Sequence, residues 1–191
     1  MIVDLGTGDG QAVLARAASE SDAFVIGIDA NAAAMTEASR RASRPRTHLA
    51  NALFIASAAE SLPGPLAGVA SLVTVTMPWG SLLRGVLGMD DRALRGVASI
   101  VAPAGRVEVF ASVVPADHVD GFVTIDNGAE AGLADAWCAL GFDVQSMCAA
   151  SRDDLSATHS SWARRLGDRP VWRLEVRRRA TSRAHAQDGG H

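Results

Sequence analysis

Hydrophobic and polar positions follow two periods along this chain. Met1–Leu5 is apolar except for Asp4, and Ala23–Ile28 is a continuous apolar run. Such runs fit strands buried on both faces. Ala52–Ala56, Leu72–Met77, Arg106–Val113 and Phe142–Cys148 repeat the pattern. In Val171–Arg177, Val171, Arg173, Glu175 and Arg177 alternate with Trp172, Leu174 and Val176, a last strand of period two. Helical stretches lie between these runs. Gln11–Ser19 brings Val13, Leu14 and Ala17 to one face, and the Ala-rich stretch Asn31–Arg44 stops before Pro45. Ser81–Leu87, Asp91–Val101 and Ala129–Leu140 are also helical, and Gly141 fits the C-terminal cap of the last. Ser151 can cap a helix from Arg152 to Leu166, with Asp153 and Asp154 in its first turn. Leu62–Gly68 is a loop, Pro103-Ala104-Gly105 a turn, and residues 114–128 are irregular.

Strands alternating with helices through short joints imply a mostly parallel sheet covered on both faces. Two final strands around one helix add an antiparallel edge strand. The expected fold is α/β: a doubly wound, Rossmann-like sheet of about seven strands. Neither a repeat nor a linker interrupts it. One domain is expected over residues 1–179, with a disordered tail at 180–191.

Composition narrows the function classes. The chain has 191 residues, 48% hydrophobic and 20% charged, which suits one globular domain. Only Cys138 and Cys148 are present, so a disulfide scaffold is excluded, and both read as small core residues. No apolar run approaches the roughly 18 residues needed to span a bilayer. No membrane partner is expected, and the composition suits the cytoplasm. His48, His118, His159, His185 and His191 show no metal-ligand spacing, so no metal is expected. Every basic residue is Arg, and Tyr is absent. Lys and Tyr have AT-rich codons, so this reflects a high-GC genome and not a mechanism.

The net charge of −3 argues against a nucleic-acid partner until it is divided by position. Residues 1–163 hold 10 Arg and 18 acids, a net of −8; residues 164–191 hold 8 Arg and 3 acids, a net of +5. Arg40, Arg41, Arg44 and Arg46 form a second basic knot without an acid among them. Two basic patches on an acidic body suit a binder of structured nucleic acid.

Asp4-Leu5-Gly6-Thr7-Gly8-Asp9-Gly10 follows a strand and opens a helix. Its spacing differs from the Gly-x-Gly-x-x-Gly of dinucleotide binders. Asp4 and Asp9 disfavour a phosphate at that helix start and favour a cationic ligand. Asp29 ends the second strand, where an acid can take both hydroxyls of a ribose. Ala59 and Glu60 follow the third strand. Together these features fit S-adenosylmethionine, whose sulfonium is positive.

Two Trp motifs lie at the same end of the sheet. Thr76-Met77-Pro78-Trp79-Gly80-Ser81-Leu82-Leu83-Arg84-Gly85 follows the fourth strand, and Ser160-Ser161-Trp162-Ala163-Arg164-Arg165-Leu166 lies between the last two. Trp137 and Trp172 are assigned to packing. With these motifs the chain resembles the 16S rRNA adenine-N1 methyltransferases that confer kanamycin–apramycin resistance by acting on adenine 1408. The resemblance runs from Asp4 to about Arg178, and the Pro-Trp-Gly-Ser-Leu-Leu-Arg-Gly run carries most of it.

The resemblance implies a class I methyltransferase that binds S-adenosylmethionine and docks on the 30S subunit, acting as a monomer. It assigns Asp4, Gly6, Gly8 and Asp29 to the cofactor, with Ala59, Glu60 and Thr76 near the adenosyl group. It makes Trp79 and Trp162 a clamp on the flipped base, with Ser160 close by. Arg40, Arg41 and Arg44, with Arg164, Arg165 and Arg169, become contacts to rRNA. Family members usually carry an N-terminal extension with a hairpin; Met1 here begins inside the glycine strand, and the extension is expected to be missing. A tRNA or small-molecule methyltransferase would share the glycine loop without explaining the paired Trp motifs. A truncated, non-catalytic S-adenosylmethionine-binding protein is the other alternative.

Adenine N1 carries an in-plane lone pair, so no general base is expected and catalysis is mostly positioning. The base leaves its stack to react. Stacking on two Trp faces is worth roughly 1–3 kcal/mol per base. The 1-methyladenine product is cationic and gains further from the indoles.

Overall fold

A computed structural model of the chain describes residues 1–46, 48–114, 117, 130–163 and 169–180. Seven strands form one sheet in the order β3-β2-β1-β4-β5-β7-β6. The strands are β1 (Ile2–Leu5), β2 (Val25–Asp29), β3 (Ala52–Ala56), β4 (Ala70–Thr76), β5 (Val101–Ala111), β6 (Phe142–Ala149) and β7 (Trp172–Arg178). The helices are α1 (Gln11–Ser19), α2 (Thr36–Ser43), α3 (Gly80–Val86), α4 (Asp91–Ile100), α5 (Glu130–Ala139) and α6 (Arg152–Ala157). β1 to β5 pair in parallel, whereas β7 runs antiparallel to both β5 and β6. The antiparallel element is therefore a pair at the edge, with the reversed strand β7 one place inside it.

Alternation along β1 decides what each face receives. Val3 and Leu5 join the main core, while Ile2 packs with Val13, Ala17, Val25 and Leu72 under α1. Asp4 shares the face of Ile2 and is buried. In the main core Trp137 is fully buried, and its Nε1 donates to the Val86 carbonyl at 3.1 Å. Its ring meets Phe142 edge-on at 5.2 Å. Buried aromatics of this kind carry much of a core's energy and need a partner for their N–H.

Several elements differ from the sequence expectation, each for a local reason. α2 starts at Thr36 and not at Asn31. Asp29 Oδ1 accepts the Asn31 N–H at 2.8 Å, which diverts the chain into a turn first. Arg44, before Pro45, is extended and ends α2. The Pro103–Gly105 step does not precede β5 but lies inside it as a bulge, with Ala104 at φ 60°.

α6 stops at Ala157, nine residues short of Leu166. The capping box is formed: Asp154 N–H donates to Ser151 Oγ, and Asp154 Oδ2 accepts from Ser151 N–H. His159 at φ 54° then breaks the helix. Thr158 Oγ1 donates to the Leu155 carbonyl and accepts from Ser160 N–H, so side-chain bonds replace the next helical turn. Both cysteines are exposed and are not core residues. Cys138, on the outer face of α5, lies 3.0 Å from the Arg179 guanidinium. The expected tail, apart from Ala180, and most of the irregular stretch 114–128 lie outside the described residues.

Candidate active site

A cleft of about 250 Å³ opens at the carboxyl ends of β1, β2 and β4. In such sheets this is where ligands bind. Gly6, Gly8, Asp29, Ala59, Glu60, Thr76, Trp79 and Trp162 all line it. A smaller adjoining pocket adds Asp4 and Ser160, and Gly6, Thr76 and Trp162 line both. Every expected cofactor residue and the expected base-contacting residues thus meet in one place.

The loop after β1 is shaped by backbone bonds. Gly6 and Thr7 N–H both donate to the Ile28 carbonyl, at 2.7 and 3.1 Å. Gly6 lies at φ 76°, and a Cβ there would sit 2.7 Å from Leu82 Cδ2. Gly10 lies at φ 71°, and a Cβ there would strike both the Phe54 ring and Ala38. Only glycine gives that conformation and that closeness together. Asp29 Oδ2 accepts the Gly8 N–H at 2.8 Å, tying the loop to the end of β2. Its carboxylate keeps further lone pairs for hydroxyls.

Asp4 is the buried charge of the site. Thr74 Oγ1 donates to its Oδ1 at 2.7 Å. Burial pushes its carboxyl above the usual carboxylate range, while the Thr7 and Thr74 hydroxyls and the more distant Arg16 oppose the shift. Thr7 Oγ1 is itself buried without a well-formed hydrogen bond among the described residues. A buried acid with hydroxyls directed at it, beside the glycine loop, is fitted to a polar, cationic group. That is the chemistry of the methionyl end of S-adenosylmethionine.

The Trp residues sit on turns. Met77 has φ 52°, a left-handed conformation unusual for its type, and its N–H donates to the Phe110 carbonyl at 2.7 Å. The chain therefore bends sharply after β4 and presents Trp79 just before α3. Trp162 follows the broken end of α6, where Ser160 Oγ accepts the Ala163 N–H at 3.3 Å. Trp79 is 54% and Trp162 51% exposed, although both are large and apolar. Exposed aromatics facing one cleft signal a binding surface.

Ser112 and Asp117 were missed by sequence reasoning. Ser112 and Arg169 line a small pocket with Trp79 and Trp162. The Arg169 guanidinium makes a two-pronged ion pair with Asp117 and donates from Nε to Ser112 Oγ at 3.2 Å. The expected rRNA contact at Arg169 is thus already charge-balanced and fixed beside the Trp pair. The pair joins the loop after β5 to the loop before β7, a long-range contact with no local pattern to reveal it.

Arg40 and Arg41 are exposed on α2, and Arg44 is exposed at its end. Arg44 pairs with Glu37 at 3.3 Å, and Arg41 Nη1 donates to Gln11 Oε1 at 3.0 Å. A groove of about 610 Å³ runs between α1 and the segment after α2, lined by Arg41, Arg46 and His48 over Leu14, Ala18 and Leu49. Arg164 and Arg165 lie outside the described residues. No group of metal-ligating side chains, and no helix long and apolar enough to cross a membrane, occurs among the described residues.

The sheet order, the glycine loop on β1 and the acid ending β2 define an S-adenosylmethionine-dependent methyltransferase of the class I fold. The family model for NpmA, a 16S rRNA (adenine(1408)-N(1))-methyltransferase, matches residues 1–177, and the chain belongs to that family. It is 34% identical over 177 residues to the enzyme of that name from Streptoalloteichus hindustanus, covering 87% of this chain and 80% of the relative. A tryptophan-to-alanine variant of the corresponding enzyme from Catenulisporales acidiphilia, solved with its cosubstrate S-adenosylmethionine, superposes with a TM-score of 0.84 at 31% identity. It covers 95% of this chain and 86% of that one. The aminoglycoside resistance methyltransferase NpmB1 matches with a TM-score of 0.78 and 38% identity, over 93% and 86% of the two chains.

Proposed function

We propose that this chain methylates N1 of adenine 1408 in 16S rRNA, within the 30S subunit, and so confers aminoglycoside resistance. Family membership supports the reaction, as does NpmB1, whose name records aminoglycoside resistance. The observation that carries it on the structural side is the pair of half-exposed indoles, Trp79 and Trp162, on one cleft beside the glycine loop.

S-adenosylmethionine supplies an electrophilic methyl group on a sulfonium. Asp29 would hold the ribose hydroxyls, Asp4 and Thr7 the cationic methionyl end, and Ala59, Glu60 and Thr76 the adenosyl end. Trp79 and Trp162 stack the extruded base on its two faces, and Ser160 fixes its edge. N1 attacks through its own lone pair, so the chain needs to orient the base and not to deprotonate it. Fixed aromatic faces also favour the cationic product.

Arg40, Arg41 and Arg44 contact rRNA phosphates on the α2 side, joined by Arg46 and His48 along the groove. Arg164, Arg165 and Arg169 are further contacts to rRNA, Arg169 through the guanidinium N–H groups that its bonds to Asp117 and Ser112 leave over. The protein acts as a monomer in the cytoplasm. The test is methyl transfer from labelled cofactor to intact 30S subunits, naked 16S rRNA and tRNA. The expected result is label in adenine 1408 of the subunits. Label in tRNA alone, or in no RNA while cofactor binds, would contradict the proposal.

A further inference from the structure

α4 touches no part of the cleft, yet it sets the position of one wall. The single helical turn Ala59–Ser61 carries Ala59 and Glu60 into the cleft. That turn lies against α4 at Gly96. A Cβ on Gly96 would fall 1.8 Å from the Ala59 carbonyl oxygen and 2.7 Å from its carbon. The obstacle is backbone, so no rotamer change relieves it. α4 also packs closely on α3: a Cβ on Gly85 of α3 would fall 2.7 Å from Ala93 Cβ and 3.0 Å from Leu94 N. α3 begins directly after Trp79. One helix thus abuts both the Ala59–Glu60 turn and the helix that follows Trp79.

We propose that Gly96 is a positioning residue for the cofactor, holding Ala59 and Glu60 at their working distance through a side-chain-free contact with α4. Gly85 seats the same helix against α3 one turn earlier, at Ala93 and Leu94. Gly96 has no positive φ. Its requirement for glycine comes from closeness and not from backbone conformation. Substitution by Ala displaces the turn by the missing clearance and so pulls Ala59 and Glu60 out of hydrogen-bond range of the cofactor. The inference rests on the assignment of Ala59 and Glu60 to the cofactor site.

The experiment measures KM for S-adenosylmethionine and kcat on 30S subunits for Gly96→Ala, Gly85→Ala, Glu60→Ala and Gly132→Ala. Gly132 on α5 has open space around it and serves as control. Gly96→Ala is expected to raise KM for the cofactor about tenfold, the worth of one lost hydrogen bond, with kcat at saturating cofactor and KM for subunits near wild type. A destabilised but correctly shaped protein would instead lose kcat at unchanged KM, and that result overturns the inference. Gly85→Ala is expected to raise the cofactor KM less, and the added Ala93→Gly, which removes the 2.7 Å contact, to lower it again in part. If Gly96→Ala does not fold, Gly85→Ala and its rescue decide the question; an unchanged KM there overturns the inference. An unchanged KM in Glu60→Ala refutes the cofactor assignment itself. A raised KM in Glu60→Ala with none in Gly96→Ala refutes only the role of Gly96.

Discussion

The Thr74 hydroxyl on β4 donates a 2.7 Å hydrogen bond to the buried Asp4 carboxylate on β1, its register partner in the parallel pair. This bond opposes a desolvation strong enough to keep the carboxyl raised. The central strands thus hold a carboxylate at a cost in stability, which is the mark of a group kept for binding.

Cofactor affinity follows the Asp4 charge. Because the pKa is raised from 3.8, the free protein retains a proton on Asp4 above the ordinary carboxylate range. A cationic ligand favours the ionised form, so binding releases that proton. Affinity for S-adenosylmethionine is expected to tighten as pH rises through the raised value and then to level off. Asp4→Asn is expected to bind weakly with a flat profile. Calorimetric titration across pH checks both.

Stability moves the opposite way. An acid with a raised folded-state pKa contributes stability that is full below its unfolded value and is lost as pH rises through the folded value. Asp4→Asn is therefore expected to gain on wild type as pH rises from the ordinary carboxylate range through that raised value. Denaturant unfolding at acid and neutral pH reads the difference, and a stability difference between variant and wild type that stays the same at both pH values contradicts it.

Trp79→Ala and Trp162→Ala are each expected to lower methyl transfer by the worth of one stacked face. That is roughly 1–3 kcal/mol, or about fivefold to 150-fold. Cofactor affinity should change far less, and Phe at either position should retain most activity. Equal losses of cofactor binding and transfer would make these residues structural supports.

Trp137 gives the contrasting case. It is fully buried and bonded to Val86. Trp137→Ala is expected to cost about 3–5 kcal/mol in unfolding free energy, from the cavity, with the surviving folded fraction keeping its cofactor KM. Chemical denaturation and steady-state kinetics measure the two effects separately.

The basic patches predict salt dependence. Subunit binding is expected to weaken linearly in log affinity against log salt, with a slope falling by roughly 0.7–0.9 for each phosphate contact removed. Arg40→Ala, Arg41→Ala and Arg46→Ala each test this by filter binding over a salt series. An unchanged slope in all three excludes the α2 side as an rRNA contact.

Much of this molecule was legible before its structure. Gln11–Ser19 and Ala52–Ala56 fall where the apolar period places them, because their faces are read against a sheet on one side. The glycine loop and the two Trp motifs converge because parallel strands bring their carboxyl ends to one edge. The failures share a different cause. The end of α6 depends on Thr158 and His159 choosing side-chain bonds over a helical turn, and the Asp117–Arg169 pair joins residues far apart in sequence. Gly96 looks like any helix glycine until the carbonyl of Ala59 is placed against it. Local periodicity carries no record of such contacts.

The most direct test of the central claim is primer extension across the decoding site of 16S rRNA. Purified 30S subunits are incubated with the protein and S-adenosylmethionine, because a methyl group on adenine N1 blocks base pairing by reverse transcriptase. The expected result is a new stop at adenine 1408, dependent on cofactor and formed more slowly with Trp79→Ala. Readthrough at adenine 1408 by a protein that binds cofactor, or a stop at another nucleotide, would contradict it.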